Sequence, residues 1–189
     1  MDPNIEISSP NVNDARVMGI DLKINGFNIR VVNAYAPTEA NGTESQKQNF
    51  YSLLKKATEK TQKHQKLIVV GDFNATTNIT KLRCFYDGKK IITDSDSNDN
   101  GNRLKSFCQS HQLSMSNTFF KHRMLHKYTW YSNDGRTRKI IDYILVEKYV
   151  QRYMTNCRVF RGVNIDSDHR LLKATMCTPA TGKARRRYN

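Results

Sequence analysis

Residues 16–24 and 27–34 alternate between apolar and polar positions or run apolar with β-branched side chains, and Asn25-Gly26 lies between them. Both turn residues tolerate positive φ, so the pattern predicts an antiparallel hairpin. Pro37 closes the second strand. Thr43 followed three residues later by Gln46 is a capping box ahead of a helix over 44–63. In that helix Phe50, Leu53, Leu54 and Ala57 recur at i, i+3, i+4 and i+7, with lysines on the opposite face. Residues 67–70 form a short unbroken apolar run ending at Gly71, the pattern of a strand covered on both faces. The acidic, Asn-rich stretch 94–102 reads as a loop, and a second amphipathic helix over 102–112 buries Leu104, Phe107 and Cys108. Strands are expected at 113–117, 127–131, 139–146, 158–162 and 170–177. Residues 1–15 are polar, contain Pro3 and Pro10, show no periodicity and read as a loose leader. The Lys183 to Arg187 stretch reads as a mobile basic tail. The expected organisation is a leader over 1–15, one domain over 16–178 and a basic tail over 179–189. No internal repeat is visible, and strand-rich segments with two interspersed helices predict an α/β sandwich of mixed sheets.

Length supports one core, since 189 residues leave little room for two ordinary domains. Nine Tyr, eight Phe and Trp130 supply bulky apolar groups for it. No apolar run approaches the ~20 residues of a membrane span, and the first residues lack the basic-then-apolar pattern of a secretory signal. An intracellular chain is expected. The four cysteines, at 84, 108, 157 and 177, have neither CxxC pairing nor zinc-type spacing and read as buried reduced thiols. Charge changes the picture most. The net charge is +14, and residues 121–189 carry 16 basic against 5 acidic side chains. Such a field attracts a polyanion through counterion release, which favours nucleic acid over a membrane surface.

Loops at strand ends are where a rigid sheet presents reactive groups. In Gly71-Asp72-Phe73-Asn74 the i, i+2 spacing turns Asp72 and Asn74 to one side of an extended backbone and Phe73 into the core. The carboxylate and amide could orient a water or a divalent ion, although Asp-x-Asn after a strand is more often a turn or a cap. Asp142 lies in the apolar run Ile140-Ile141-Asp142-Tyr143-Ile144, where an unpaired charge costs several kcal/mol. His169 is the partner expected for it, giving an Asp-His pair that fixes the imidazole tautomer. Asp168, next to that histidine, offers a carboxylate for a hard cation.

Five segments in order, Asn33-Ala-Tyr-Ala-Pro, Val70-Gly-Asp-Phe-Asn, Tyr128-Thr-Trp, Ile141-Asp-Tyr-Ile and Ser167-Asp-His-Arg, resemble the endonuclease/exonuclease/phosphatase superfamily. Within it the likeness is to the apurinic-like endonuclease domain of non-LTR retrotransposons of the RTE type and to craniofacial development protein 2-like relatives. The resemblance covers residues 16–177. It implies a DNase I-like sandwich of two mixed sheets flanked by helices and a Mg²⁺- or Mn²⁺-dependent hydrolysis of DNA phosphodiesters. It also implies a nuclear location and no small-molecule cofactor. In its terms Asp72 aligns the attacking water with Asn74 beside it, Asp142 and His169 form the dyad at the scissile phosphate, Tyr35 contributes its phenol, and Asp168 binds the metal. Asn117, Trp130, Arg136 and Arg138 support the site or the nucleic acid; Trp130 reads equally as a core aromatic and Asn117 as a strand-end hydrogen bonder. The family pattern also opens with a strand bearing an Asn and a strand ending in a metal-ligating Glu. Neither maps onto this sequence, whose upstream acids are Asp2, Glu6 and Asp14, so the expected fold lacks the first strands and its metal position is short of one carboxylate. Binding of nucleic acid without cleavage, and hydrolysis of a small phosphate ester, stay open as alternatives.

Overall fold

The computed structural model describes residues 5–77, 97–163 and 166–177. The expected tail at 179–189, residues 94–96 of the expected loop and Cys84 lie outside the described residues. β1 (Ile5–Ile7) and β2 (Asn11–Asp14) both pair antiparallel with β3 (Val17–Ile24), so the segment expected to be a loose leader adds two short strands to a sheet edge. Ile5 and Ile7 offer only one period-2 repeat before Pro10, too little pattern to register, while backbone pairing with β3 needs no apolar code. β3 and β4 (Phe27–Tyr35) form the predicted hairpin, with Asn25 at φ 50° and Gly26 at φ 76°.

α1 (Glu44–Glu59) opens on the predicted capping box: Gln46 N–H donates to Thr43 Oγ1 at 3.3 Å and Thr43 N–H donates to Gln46 Oε1 at 3.0 Å. It ends before residue 63, because the polar run after Glu59 offers no apolar side chain to the sheet. Lys47 departs from the expected lysine face. It is buried and paired with Glu39 at 2.9 Å and Asp99 at 3.1 Å. β5 (Lys66–Asp72) runs parallel to β4, and Gly71 at its end is obligatory: its φ is 147°, and a Cβ there would collide with the Ala34 carbonyl oxygen. α2 (Asp99–Ser110) begins three residues earlier than expected because Asn98 caps it, accepting from Gly101 N–H at 2.8 Å.

β6 (Leu113–Met115) is shorter than the 113–117 strand expected, since Ser116–Thr118 turn into a single 3-10 turn. The apolar run 139–146 divides between β8 (Arg138–Lys139), which pairs with β7 (Trp130–Tyr131), and β9 (Asp142–Glu147), which joins the main sheet. Residues 127–129 stay outside β7. β10 (Met154–Val159) and β11 (Leu172–Met176) form an antiparallel ribbon; β10 starts four residues before the expected 158–162 because Met154, Cys157 and Val159 all point inward.

The main sheet runs β1-β3-β4-β5-β9-β6, with β2 also on β3, and the β4–β5 pair makes it mixed. One face packs Val32, Val69, Tyr143 and Leu145 against Phe50, Leu54 and Leu104 of the helices. The other packs Ile68, Val70, Ile144 and Val146 against Cys157, Leu172 and Ala174 of the ribbon. This is the expected α/β sandwich, with the smaller layer an antiparallel pair among the described residues. The ribbon covers β5 and β9, whereas Ile5, Ile7 and Met18 on the β1–β3 side stay exposed. Cys108 and Cys157 are buried as expected, and burial pushes the Cys157 thiol up to about 12; Cys177 is exposed.

Candidate active site

Three neighbouring strands deliver their polar residues to one rung. Tyr35 of β4 stands opposite Asp72 of β5, and Asp72 stands opposite Asp142 of β9. Paired residues in adjacent strands share a face, so all three project on the side that carries the β10–β11 ribbon, at the sheet end beyond it. His169 enters from the loop before β11, held by a bridge to Trp130 and by Arg170 N–H donating to the Thr129 carbonyl at 2.7 Å.

His169 Nδ1 lies 3.1 Å and 3.3 Å from the two Asp142 carboxylate oxygens, the contact expected from the sequence. An ionised carboxylate can only accept, so Nδ1 carries a proton and Nε2 is left for a second contact. Nε2 lies 3.9 Å from Asp72 Oδ2. Asp72 therefore abuts the dyad directly. Asp72, Asp142 and His169 offer ligand atoms that all lie within 4.8 Å of one another.

The electrostatics follow from this crowding. Burial pushes the Asp72 carboxyl up to about 6, helped by the Asp142 and Asp168 charges and opposed by the Asn74 N–H bond and by His169. The hydrogen bond that His169 donates to Asp142 raises the imidazole above its ordinary value, against the pull of burial. The Trp130 indole N–H, 2.7 Å from Asp168 Oδ2, holds that carboxyl below the usual range.

Asn74 corrects the extended-pair expectation. Its φ is 47°, its N–H donates to Asp72 Oδ1 at 2.8 Å, and its side-chain amide donates to the Ala36 carbonyl at 3.0 Å. The Asp-x-Asn is thus a turn in which the carboxylate is itself a hydrogen-bond acceptor, with Phe73 fully buried as expected. Tyr35 is half exposed, with the Arg16 guanidinium 5.4 Å from its ring centre. Asp168 lies outside the three-residue cluster and is turned toward Trp130. Asn117 bonds the β9 backbone, donating to the Asp142 carbonyl at 2.8 Å and accepting from Ile144 N–H at 3.0 Å. Trp130 is half-buried, with the Lys139 ammonium 5.6 Å from its ring centre. Arg138 and Arg170 flank the Tyr131 ring at 5.7 Å and 5.3 Å, while Arg136 is exposed beside Asp134. Lys127, Tyr128, Arg138 and Lys139 line a cavity of about 240 Å³ next to this hairpin.

Two supports escaped the sequence reading. Thr129, fully buried, accepts at Oγ1 from Ile141 N–H at 3.0 Å and Asp142 N–H at 3.1 Å, which fixes the start of β9. Tyr131 serves as the platform for two guanidiniums. Thr129 lies within the Tyr128-Thr-Trp motif, but no local pattern distinguishes a hydroxyl that bonds a neighbouring strand from one that faces solvent.

The mixed sheet, covering helices and strand-end cluster have the architecture of DNase I-like endonucleases. A family model described as endonuclease-reverse transcriptase matches residues 29–173, and the chain belongs to the endonuclease/exonuclease/phosphatase family. It is 30% identical over 164 residues to craniofacial development protein 2 of Bos taurus, covering 87% of this chain and 27% of that protein. The chain thus spans about a quarter of the length of that relative. Among solved structures, the endonuclease domain of TRAS1, a telomere-specific non-LTR retrotransposon, superposes with a TM-score of 0.63 at 16% identity, covering 94% of this chain and 71% of that one. The 3′ phosphatase NExo from Neisseria, bound to product DNA hairpin, superposes with a TM-score of 0.59 at 21% identity, covering 93% and 71%. These two likenesses concern the fold. No helix among the described residues is long and apolar enough to cross a membrane.

Proposed function

We propose that the chain hydrolyses DNA phosphodiester bonds as a Mg²⁺- or Mn²⁺-dependent endonuclease of retrotransposon descent, working in the nucleus. The observation that carries this reading is the convergence of Asp72, Asp142 and His169 within 4.8 Å. A basic hairpin stands beside them, with Arg138 and Lys139 stacked on its aromatic rings.

The donor set fits a hard cation. Asp72 supplies a carboxylate beside the dyad, and Asp168 lies near enough to raise its carboxyl. Mg²⁺ commonly takes one or two carboxylates and fills its remaining positions with water and substrate phosphate. When bound, the ion would supply Lewis-acid neutralisation of the charge that develops on the phosphate.

The remaining work belongs to the side chains. Asp72, with a carboxyl near 6, is ionised at neutral pH yet still basic enough to align and deprotonate a water. Asp142 holds His169 through Nδ1–H and favours the doubly protonated imidazolium, so that Nε2–H donates to the phosphate oxygens and stabilises their negative charge. Asn74, locked by its bond to Ala36, keeps the Asp72 turn from swinging. Tyr35 stands on the same rung and presents its phenol to the substrate. Arg136, Arg138 and Lys139 give the duplex backbone its electrostatic hold, and Trp130 and Asn117 brace the wall behind it.

Supercoiled plasmid incubated with Mg²⁺ tests the reading. The wild-type chain is expected to nick it, and Asp72→Ala and His169→Ala to do so at least about a hundredfold more slowly. Equal nicking by all three proteins would remove the assignment. Hydrolysis of soluble inositol phosphates without nicking would move the substrate to small phosphate esters.

A further inference from the structure

Asn74 holds a left-handed turn beside the site, and its carbonyl is bonded to the head of α2. Two asparagines meet it there. Asn98 donates from Nδ2 to the Asn74 carbonyl at 2.9 Å, and Asn100 donates from Nδ2 to the Pro37 carbonyl at 2.9 Å and to the Asn74 carbonyl at 3.4 Å. Asn100 is fully buried, and both of its side-chain contacts are carbonyl oxygens, so only an amide nitrogen can face them. Gly101 lets the first turn of α2 come close, because a Cβ there would collide with the Thr76 carbonyl oxygen.

We propose that Asn98 and Asn100 are positioning residues for the hydrolysis described above, clamping the Asn74 turn and the Pro37 strand exit so that Asp72, Asn74 and Tyr35 hold one geometry. The inference rests on the proposed hydrolysis. Pro37 follows Tyr35 by two residues, and Asn74 follows Asp72 by two. Fastening both exits to one helix fixes the β4 and β5 contributions relative to each other. The Asn74 side chain closes the same circuit from the inside through Ala36. Further out, Asn100 N–H donates to Glu39 at 3.1 Å, and Lys47 joins Glu39 to Asp99. The α2 head is thereby anchored on both sides.

Capping a helix is the simpler role for Asn98, and the atoms separate the two. The cap uses Oδ1, which accepts from Gly101 N–H at 2.8 Å and from Thr76 N–H at 2.9 Å. The clamp uses Nδ2. Asn98→Asp keeps the acceptor, and an acid at a helix start is favourable. It removes only the donor to Asn74 and sets an oxygen against a carbonyl. Asn98→Ala removes both functions, and Asn100→Asp is the isosteric change at the buried position.

The experiment measures steady-state nicking, melting temperature and amide exchange of the metal-free protein for wild type and these three variants. Asn98→Asp is expected to melt within about 3 °C of wild type, a shift below ~1 kcal/mol for a chain of this size. Its kcat should fall about tenfold to a hundredfold with KM nearly unchanged, as a displaced catalytic group requires. The Asn74 amide should exchange faster. Wild-type kcat and Asn74 protection in Asn98→Asp would overturn the proposal, as would losses that simply track melting temperature across Asn98→Asp and Asn98→Ala. If wild type nicks no better than Asp72→Ala, the hydrolytic reading fails by itself; Asn74 exchange then decides the clamp, with unchanged protection refuting it.

Discussion

Asp72 is held where a carboxylate is uncomfortable. Its carboxyl titrates at about 6 because it is buried and faces Asp142, and one backbone N–H is its nearest compensation. A folded-state value above the ordinary 3.8 means that the folded chain binds this proton more tightly than the unfolded chain does. The stability that Asp72 contributes is therefore full below pH 3.8 and is lost as pH rises through about 6. His169 acts in the same direction: its contribution is complete below 6.5 and fades as pH passes its raised folded value. Asp72→Asn should consequently raise the stability of the metal-free protein at pH 8 by about 1 to 3 kcal/mol, with the gain shrinking toward pH 4, while nicking disappears. Thermal melts across that range check it, and a destabilised Asp72→Asn at pH 8 would contradict the assigned burial cost. Asp72 and Asp142 were readable as candidates because each is a polar residue ending or breaking an apolar strand, and His169 as the partner that a carboxylate in such a run needs. The Asn74 turn was less so: Asp-x-Asn after a strand is more often a turn or a cap than an extended pair, but only the φ of Asn74 decides between them.

Among the elements, the β7–β8 hairpin carries exposed basic side chains beside the site. Tyr131 is bracketed by Arg138 and Arg170, and Lys139 lies over Trp130. If Arg138 and Arg170 each neutralise one phosphate, replacing both by Ala should lower the salt slope of log affinity for duplex DNA by about 2, since each phosphate contributes ~0.9. A fluorescence titration at several salt concentrations measures this, and an unchanged slope would take the two arginines out of the interface. The division between β8 and β9 could not be read from hydrophobicity. Ile140 and Ile141 continue an apolar run without interruption, but Ile141 and Asp142 give their N–H groups to the Thr129 hydroxyl in place of a strand partner. The early end of β6 has the same origin. The Asn117 side-chain amide bonds Asp142 and Ile144 as a strand backbone would, so the chain can turn away without leaving the β9 groups unpaired. Side chains standing in for backbone leave no periodic trace. The helices do leave one, because a capping box and an apolar stripe are both local.

For the molecule as a whole, the order of strands matters more than their number. β4, β5 and β9 are far apart in sequence yet adjacent in the sheet, which brings Tyr35, Asp72 and Asp142 onto one rung. Polar strand ends in the sequence indicated the participants, and the family resemblance supplied their convergence; spacing alone could not, because a sheet order is a long-range property. The edge strand β1 was illegible because its side chains are exposed, and β1 and β2 are each too short to show a period. The charge excess over 121–189 is likewise a property of the whole surface, and the hairpin beside the site falls within it. The central claim is that Asp142 and His169 work as one unit on a phosphodiester. The most direct test is a double-mutant cycle on Mg²⁺-dependent nicking with Asp142→Asn, His169→Ala and the double variant. Each single change should cost about 10²-fold or more in kcat/KM, and the double variant should be scarcely slower than the worse single, as groups that act together require. Losses that multiply in the double variant, or single variants as fast as wild type, would contradict it.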